Sequence, residues 1–297
     1  MTQITLQDCI DLGEKRFKEA ALYFGHGTNN AADEALWLVF YVLKLPWDVD
    51  ASVLQNSVTQ DQYQEIQQLF ERRVKERIPA AYITGESWFM GLPFVVNEHV
   101  LVPRSPLAEC IAVNFSPFLP QKPQAHILDL CTGSGCIGIA TALKIPYAKV
   151  ALSDISADAI AVAKQNISQY ELQDRVTAIE SDLFEGLKGQ RFDLIVSNPP
   201  YVDAEDFSNR PDEYRAEPDI ALASGVDGLD FTRRLLKEAA DYLEEGGSII
   251  VELGNSGRHL EAAFPSVPFL WLEFEHGGHG VFVLTREELR QFAAVFT

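Results

Sequence analysis

The 297-residue sequence predicts an α/β protein: a doubly wound, mostly parallel sheet preceded by a helical region and a linking β-hairpin. Three observations predict it. From residue 126 onward, short apolar strands alternate with helical segments, the rhythm of a sheet that binds ligands at the carboxyl ends of its strands. A glycine-rich turn follows the first of those strands. The last two apolar runs, FLWLEF (269–274) and HGVFVLT (279–285), suit a terminal antiparallel pair.

The elements follow in order. Residues 31–44 (AADEALWLVFYVLK) are apolar on most faces, which predicts a buried helix. Residues 60–77 carry a narrow apolar stripe through Tyr63, Ile66, Leu69, Phe70 and Val74, with Glu71 and Lys75 at i,i+4 spacing. Pro79 ends that helix. Its basic cluster, Arg72, Arg73, Lys75 and Arg77, reads as a solvated face. SWFMGLPFVVN (87–97) predicts two short strands around a Gly-Leu-Pro turn. Prolines at 103, 106, 117, 120 and 123 suggest a boundary near residues 100–120. The expected division is residues 1–80 helical, 81–120 hairpin and linker, and 121–297 the sheet domain. Strands are expected at 126–130, 149–154, 175–182, 192–198 and 248–253, and helices up to Lys144, at 159–167 and at 229–244.

Hydrophobic residues at 47% and charged residues at 23% are ordinary for a chain with a full core. The formal charge of -19 is not. A surface that acidic repels phosphate backbones and attracts basic partners, which argues against sequence-independent nucleic-acid binding; direct sequence-specific binding is not expected either. Cys9, Cys110, Cys131 and Cys136 form no CxxC pair and no zinc spacing, which suggests buried reduced thiols and no metal. The N-terminal residues lack a signal-peptide pattern, and no apolar run is long enough to span a bilayer. A soluble cytoplasmic protein is expected, without membrane contact.

The turn Asp129-Leu-Cys-Thr-Gly133-Ser-Gly135-Cys-Ile-Gly138 contains G-x-G-x-x-G, and Asp154 ends the next strand as a ribose-binding carboxylate should. These features alone admit an NAD-dependent oxidoreductase. Three others favour S-adenosylmethionine. Asp129, just before the turn, suits an ammonium and a sulfonium better than a pyrophosphate. Asp182 ends the third strand, where a carboxylate can accept from an adenine amino group. The fourth strand ends in Asn198-Pro199-Pro200-Tyr201, which hydride transfer does not require.

That tetrapeptide addresses a chemical problem. A planar NH2 has a delocalised lone pair and is a poor nucleophile. The Asn198 side-chain oxygen and the Pro199 carbonyl can each accept one of its N–H bonds, orienting the nitrogen for in-line attack. The prolines hold the backbone still, and Tyr201 offers a stacking face. The motif does not separate an adenine amino group from a glutamine amide. An adenine-N6 nucleic-acid methyltransferase should carry basic grooves, and only short basic clusters occur here.

Taken together, FMGLPFVVNEHVLVPRSPLAE, DLCTGSGCIGIA and SNPPYV resemble the protein N5-glutamine methyltransferase family, over nearly the whole chain. The resemblance implies a Rossmann-like, S-adenosylmethionine-dependent methyltransferase domain and an N-terminal substrate-recognition domain. One branch of that family methylates release factors at Gly-Gly-Gln and follows Pro-Arg with Pro-Asp-Thr-Glu. Here Pro103-Arg104 is followed by Ser105-Pro106-Leu-Ala-Glu109, and with YFGHGTNN (23–30) and residues 211–236 this is similar to the branch acting on large-subunit ribosomal protein three. By motif, the resemblance implies that Asp129, Gly133 and Gly135 hold the methionine end of the cofactor, with Cys131, Thr132, Ile155, Leu183 and Asn198 also among its binding residues. It places Asp154 at the ribose hydroxyls, Asp182 near the adenine, and Asn198 to Tyr201 at the target amide. Arg104 and Glu109 would anchor the inter-domain loop.

Overall fold

The helical period of the early sequence becomes α1 (Leu6–Glu19), α2 (Ala31–Leu43), α3 (Gln60–Glu76) and α4 (Ala80–Thr84) in the computed structural model, which describes residues 3–296. Thr5 and Thr59 each close a capping box, with Asp8 and Gln62, so α1 and α3 start where side chains satisfy their first amides. The chain forms two compact units. The first comprises residues up to Ser87, Val96–Glu98 and Pro211–Ala216; the second comprises Trp88–Val95, His99–Arg210 and Glu217 onward. Residues 99–120, expected as linker, thus lie in the second unit, while 211–216 belong to the first.

Within the first unit, α3 buries Ile66, Phe70 and Arg73, one face at helical spacing. The reading of the basic cluster as one solvated face is therefore corrected. Arg72 and Lys75 do face solvent, beside Glu76 and Glu71. Arg73 is 1% exposed and sits between two buried carboxylates. Its Nε donates to Glu34 Oε1 at 3.0 Å, Nη1 to Glu213 Oε1 at 3.5 Å, and Nη2 to the Tyr23 carbonyl at 3.0 Å. Arg77 adds a bond to Glu213 at 3.1 Å. Burial pushes the Glu213 carboxyl up, but the Tyr23 amide, Arg77 and Arg73 outweigh it and hold the group below its ordinary range.

The hairpin strands are β1 (Glu86–Phe89) and β2 (Leu92–Val95), followed by α5 (Leu107–Ala112). Then come β3 (His126–Leu130), α6 (Cys136–Lys144), β4 (Lys149–Asp154), α7 (Ala157–Gln169), β5 (Val176–Glu180), β6 (Phe192–Ser197) and the short α8 (Ala204–Ser208). α9 (Asp230–Tyr242), β7 (Leu243–Glu252), α10 (Gly257–Ala263), β8 (Leu270–Leu272), β9 (Val281–Thr285) and α11 (Arg286–Gln291) complete the second unit. Its sheet has the order β5-β4-β3-β6-β7-β9-β8. The first five strands run parallel; β9 is antiparallel to both β7 and β8, the terminal pairing expected.

Side chains alternate between two cores. Ile127, Leu194, Val196 and Ile250 point to one, with α5, α6 and α7 contributing Leu107, Ile139 and Ala163. Leu128, Ile195, Ile249 and Val251 point to the other, with Leu235 and Leu236 of α9 and Leu260 of α10. Covering both faces is what a parallel sheet requires. Strand order reverses beside β3, so the loops after β3, β4 and β6 converge at one edge. Among the described residues, no helix is long and apolar enough to cross a membrane.

Candidate functional site

The turn after β3 is shaped from below. Asp129 is fully buried, and its Oδ2 accepts from Thr132 Oγ1 at 2.6 Å and from the Gly138 amide at 2.8 Å. Its Oδ1 is buried without a hydrogen-bond partner among the described residues. Burial pushes this carboxyl up to about 7, against the two hydrogen bonds and with the charge of Asp154 adding to the rise. α6 can lie this close to the strands only because residue 138 is glycine: a Cβ there would stand 2.1 Å from Leu152. Gly133 and Gly135 take φ of +54° and +83°, and Cys131 takes +62°.

A cavity of ≈ 320 Å³ opens above this turn, within the range of small-molecule sites. It is lined by Cys131, Thr132, Gly133, Asp154, Ile155, Asp182, Leu183, Asn198, Pro200 and Arg104, ten of the residues the sequence singles out. Asp129, Gly135, Pro199, Tyr201 and Glu109 do not line it. Asp129 acts one layer down, through the turn. Cys131 is the exception to the expectation of buried thiols, being half-buried on the cavity wall. Its thiol is held well above the usual range, by burial first and then by Asp154 and Asp129, so it stays protonated and unreactive near neutrality.

The other carboxylates are held by named donors. Asp154 accepts from the amides of Gly133 and Ser156 at 2.9 and 3.0 Å, and burial raises its pKa. Asp182 is ion-paired with Arg234 of α9 at 2.9 Å, a partner the sequence does not announce. Ile155 is 49% exposed, an apolar side chain left on the cavity wall, and Leu183 is buried at φ +51°.

At the end of β6, the Ser197 hydroxyl donates to the Leu130 carbonyl at 2.7 Å and ties the two strand tips together. Tyr201 turns toward β7: its hydroxyl donates to Glu252 at 3.1 Å, and its carbonyl accepts from Ser256 at 2.6 Å. Arg104 makes a two-pronged pair with buried Glu217, 2.6 Å on each side, and Glu217 also accepts the Val102 amide. Glu109 holds a different loop, accepting the amides of Glu275 and His276, which keep it below the ordinary carboxylate range.

Sequence reasoning missed the wall formed by His99 to Val102, Phe231 and Arg234, and the supporting acids Glu217 and Glu252. Glu252 had a signal, as the one charge in the apolar run SIIVEL. Glu217 had none, being one acid among many in PDEYRAEPD.

A Rossmann-like sheet with a carboxylate-lined cavity at its switch point, and Asn-Pro-Pro-Tyr at the cavity edge, defines a methyltransferase. Residues 114–210 match the methyltransferase small domain family, and residues 11–85 match the PrmC N-terminal domain. The chain is 46% identical over 286 residues to ribosomal protein uL3 glutamine methyltransferase of Neisseria gonorrhoeae, covering 96% of this chain and 95% of the relative. The Neisseria meningitidis protein of the same name gives 46% identity, with 96% and 94% covered. The chain belongs to this family of protein-glutamine methyltransferases. The fold alone is shared with the hMettl16 catalytic domain, solved with MAT2A 3'UTR hairpin 1, at TM-score 0.53 and 15% identity, covering 84% of this chain and 90% of that one.

Proposed function

We propose that the chain transfers a methyl group from S-adenosylmethionine to the side-chain amide nitrogen of a glutamine in ribosomal protein uL3. The observation that carries this is Asn198, on the wall of a carboxylate-lined cavity, in a chain 46% identical over 96% of its length to enzymes named for that reaction.

The residues present fit the cofactor. Two carboxylates, Asp154 and Asp182, line the cavity beside apolar Ile155 and Leu183, a lining that suits a nucleoside. Asp154 would take the ribose hydroxyls, and Asp182 with Leu183 the adenine. The turn at Cys131, Thr132, Gly133 and Gly135, braced by Asp129, would take the methionine end. The orphaned Oδ1 of Asp129 supports a polar demand from that side. When bound, S-adenosylmethionine supplies an electrophilic methyl on a sulfonium. The chain's own contribution is positioning. Asn198 Oδ1 and the Pro199 carbonyl accept the two amide N–H bonds, and the prolines limit backbone reorganisation. Tyr201 flanks the acceptor amide. As the nitrogen bonds to carbon it becomes acidic and gives up a proton, so a strong base is not needed. Arg104, through Glu217, holds the 99–105 wall, while Glu109 fixes the loop before β9.

The net charge of -19 supports a basic protein partner met in the cytoplasm, rather than a nucleic acid. Purified uL3 and release factor, incubated separately with labelled cofactor, test the substrate. Label on uL3, mapped by mass spectrometry to one glutamine, is the expected result; label on the release factor alone overturns it. Asn198→Ala should abolish transfer and leave cofactor binding within about twofold, as for a contact made chiefly at the reacting nitrogen.

A further inference from the structure

Glu252 lies at the end of β7, 5% exposed, and no step above uses it. Its two oxygens reach different parts of the second unit. Oε1 accepts the Tyr201 hydroxyl at 3.1 Å, and Oε2 accepts the Ser105 hydroxyl at 2.6 Å. Ser105 belongs to the cavity wall and also accepts the Leu107 amide at 3.2 Å, which starts α5. Tyr201 belongs to the Asn-Pro-Pro-Tyr turn. One buried carboxylate therefore spans the wall of the cofactor cavity and the acceptor motif.

The Tyr201 ring is held on its other sides as well. A Cβ on Gly254 would stand 3.0 Å from it, so the ring lies against bare backbone. The Tyr201 carbonyl is tied to Ser256. With backbone and face both held, Glu252 holds the hydroxyl end of the ring as well. The arrangement is costly for a purely structural part. Burial pushes Glu252 up to about 7, against the hydrogen bonds from Ser105 and Tyr201 and the positive charge of Arg104, and no arginine or lysine is bonded to it directly among the hydrogen bonds and ion pairs above. A single side chain here answers both hydroxyls, one on each oxygen.

We propose that Glu252 is a positioning residue for methyl transfer: it sets the Tyr201 ring relative to the cofactor cavity by bridging Tyr201 and Ser105. The proposal rests on the reading of Asn198 to Tyr201 as the acceptor motif, and two arms separate its failure from that reading's.

The first arm needs no substrate. In the full chain labelled with fluorotyrosine, the Tyr201 fluorine resonance, identified by its loss in Tyr201→Phe, should shift in Glu252→Ala and in Ser105→Ala. In Glu252→Gln, whose side chain can still accept from Tyr201 and donate to Ser105, it should stay near its wild-type position. A resonance unmoved in both alanine variants overturns the clamp, whatever the activity. Ser105→Ala, which removes a half-buried hydroxyl and leaves the carboxylate in place, keeps the arm decisive if Glu252→Ala does not fold.

The second arm measures transfer to uL3. Glu252→Ala should lower kcat about tenfold or more, as loss of near-attack geometry does, with the KM for cofactor unchanged. Ser105→Ala should lower it about threefold, the size of one neutral hydrogen bond, and Glu252→Gln should recover most of the loss. In a Tyr201→Phe background, Glu252→Ala should cost little more, because the two act as one unit. Fully additive losses, or an unchanged kcat beside a shifted resonance, overturn the positioning role. If the resonance responds but the wild-type chain methylates no uL3, the clamp stands and the acceptor reading fails.

Discussion

Both units bury acids against arginines, Glu217 with Arg104 being the sheet unit's case, but two acids of the sheet unit are treated in the opposite way. In the helical unit, Glu34 and Glu213 are buried against Arg73 and Arg77, with every charge answered at hydrogen-bond distance. In the sheet unit, Asp129 and Glu252 are buried on hydroxyls and an amide alone, and both are pushed up to about 7. An ion pair in a core is a closed account of charge; removing one member leaves the other stranded. A carboxylate supported only by neutral donors keeps some of its demand for a partner, and such groups gather where ligands bind. The contrast separates the acid that holds a unit together from the acid that shapes a site.

The largest effect that could break this contrast is on stability. Arg73→Ala should destabilise the chain by about 3–5 kcal/mol, the usual cost of stranding a buried charge, read from urea unfolding. A cost below that of an exposed pair would mean the network is not closed. Next comes pH. Asp129 has a folded pKa above its unfolded value, so the folded state binds the extra proton. Its stabilising contribution is present below about pH 4 and is lost as pH rises through about 7. Asp129→Asn should therefore gain on the wild type across that window, by up to about 1.4 kcal/mol per pH unit, while losing cofactor affinity. Glu213, held below its ordinary range, has the opposite sign: its contribution is present above the unfolded pKa and is lost as pH falls through the folded one. Glu213→Gln should thus cost less in acid than at neutrality. Parallel pH slopes for the two variants would erase the distinction. The smallest effect is a control: Lys75→Ala, at an exposed i,i+4 pair two residues beyond Arg73 in the same cluster, should change stability by less than about 0.5 kcal/mol.

The strands and the cavity turn were legible because their signals are local. HILDL, KVALSD and FDLIVSN became β3, β4 and β6 nearly residue for residue, and Asp154 at the end of β4 and Asp182 just beyond β5 reached the cavity. Asp129 was legible as important, but its burial beneath the turn was not, since spacing does not say which side of a loop a carboxylate takes. Arg73 was misread for a related reason. Its neighbours Arg72 and Lys75 are exposed, and only the phase of Ile66 and Phe70 puts it inward, toward acids 39 and 140 residues away. Glu217 and Glu252 are bonded to Arg104 and Ser105 over separations of 113 and 147 residues, contacts that exist only after the sheet has formed.

The helical unit borrows Pro211–Ala216 from far down the chain, and Glu213 is the borrowed part that matters most. During synthesis, the first eighty-seven residues would leave the ribosome with Arg73 and Arg77 still lacking a carboxylate that has not yet been made. The amino-terminal unit of this enzyme is thus completed late, and a fragment ending at Ser87 should be far less stable than its tidy helices suggest.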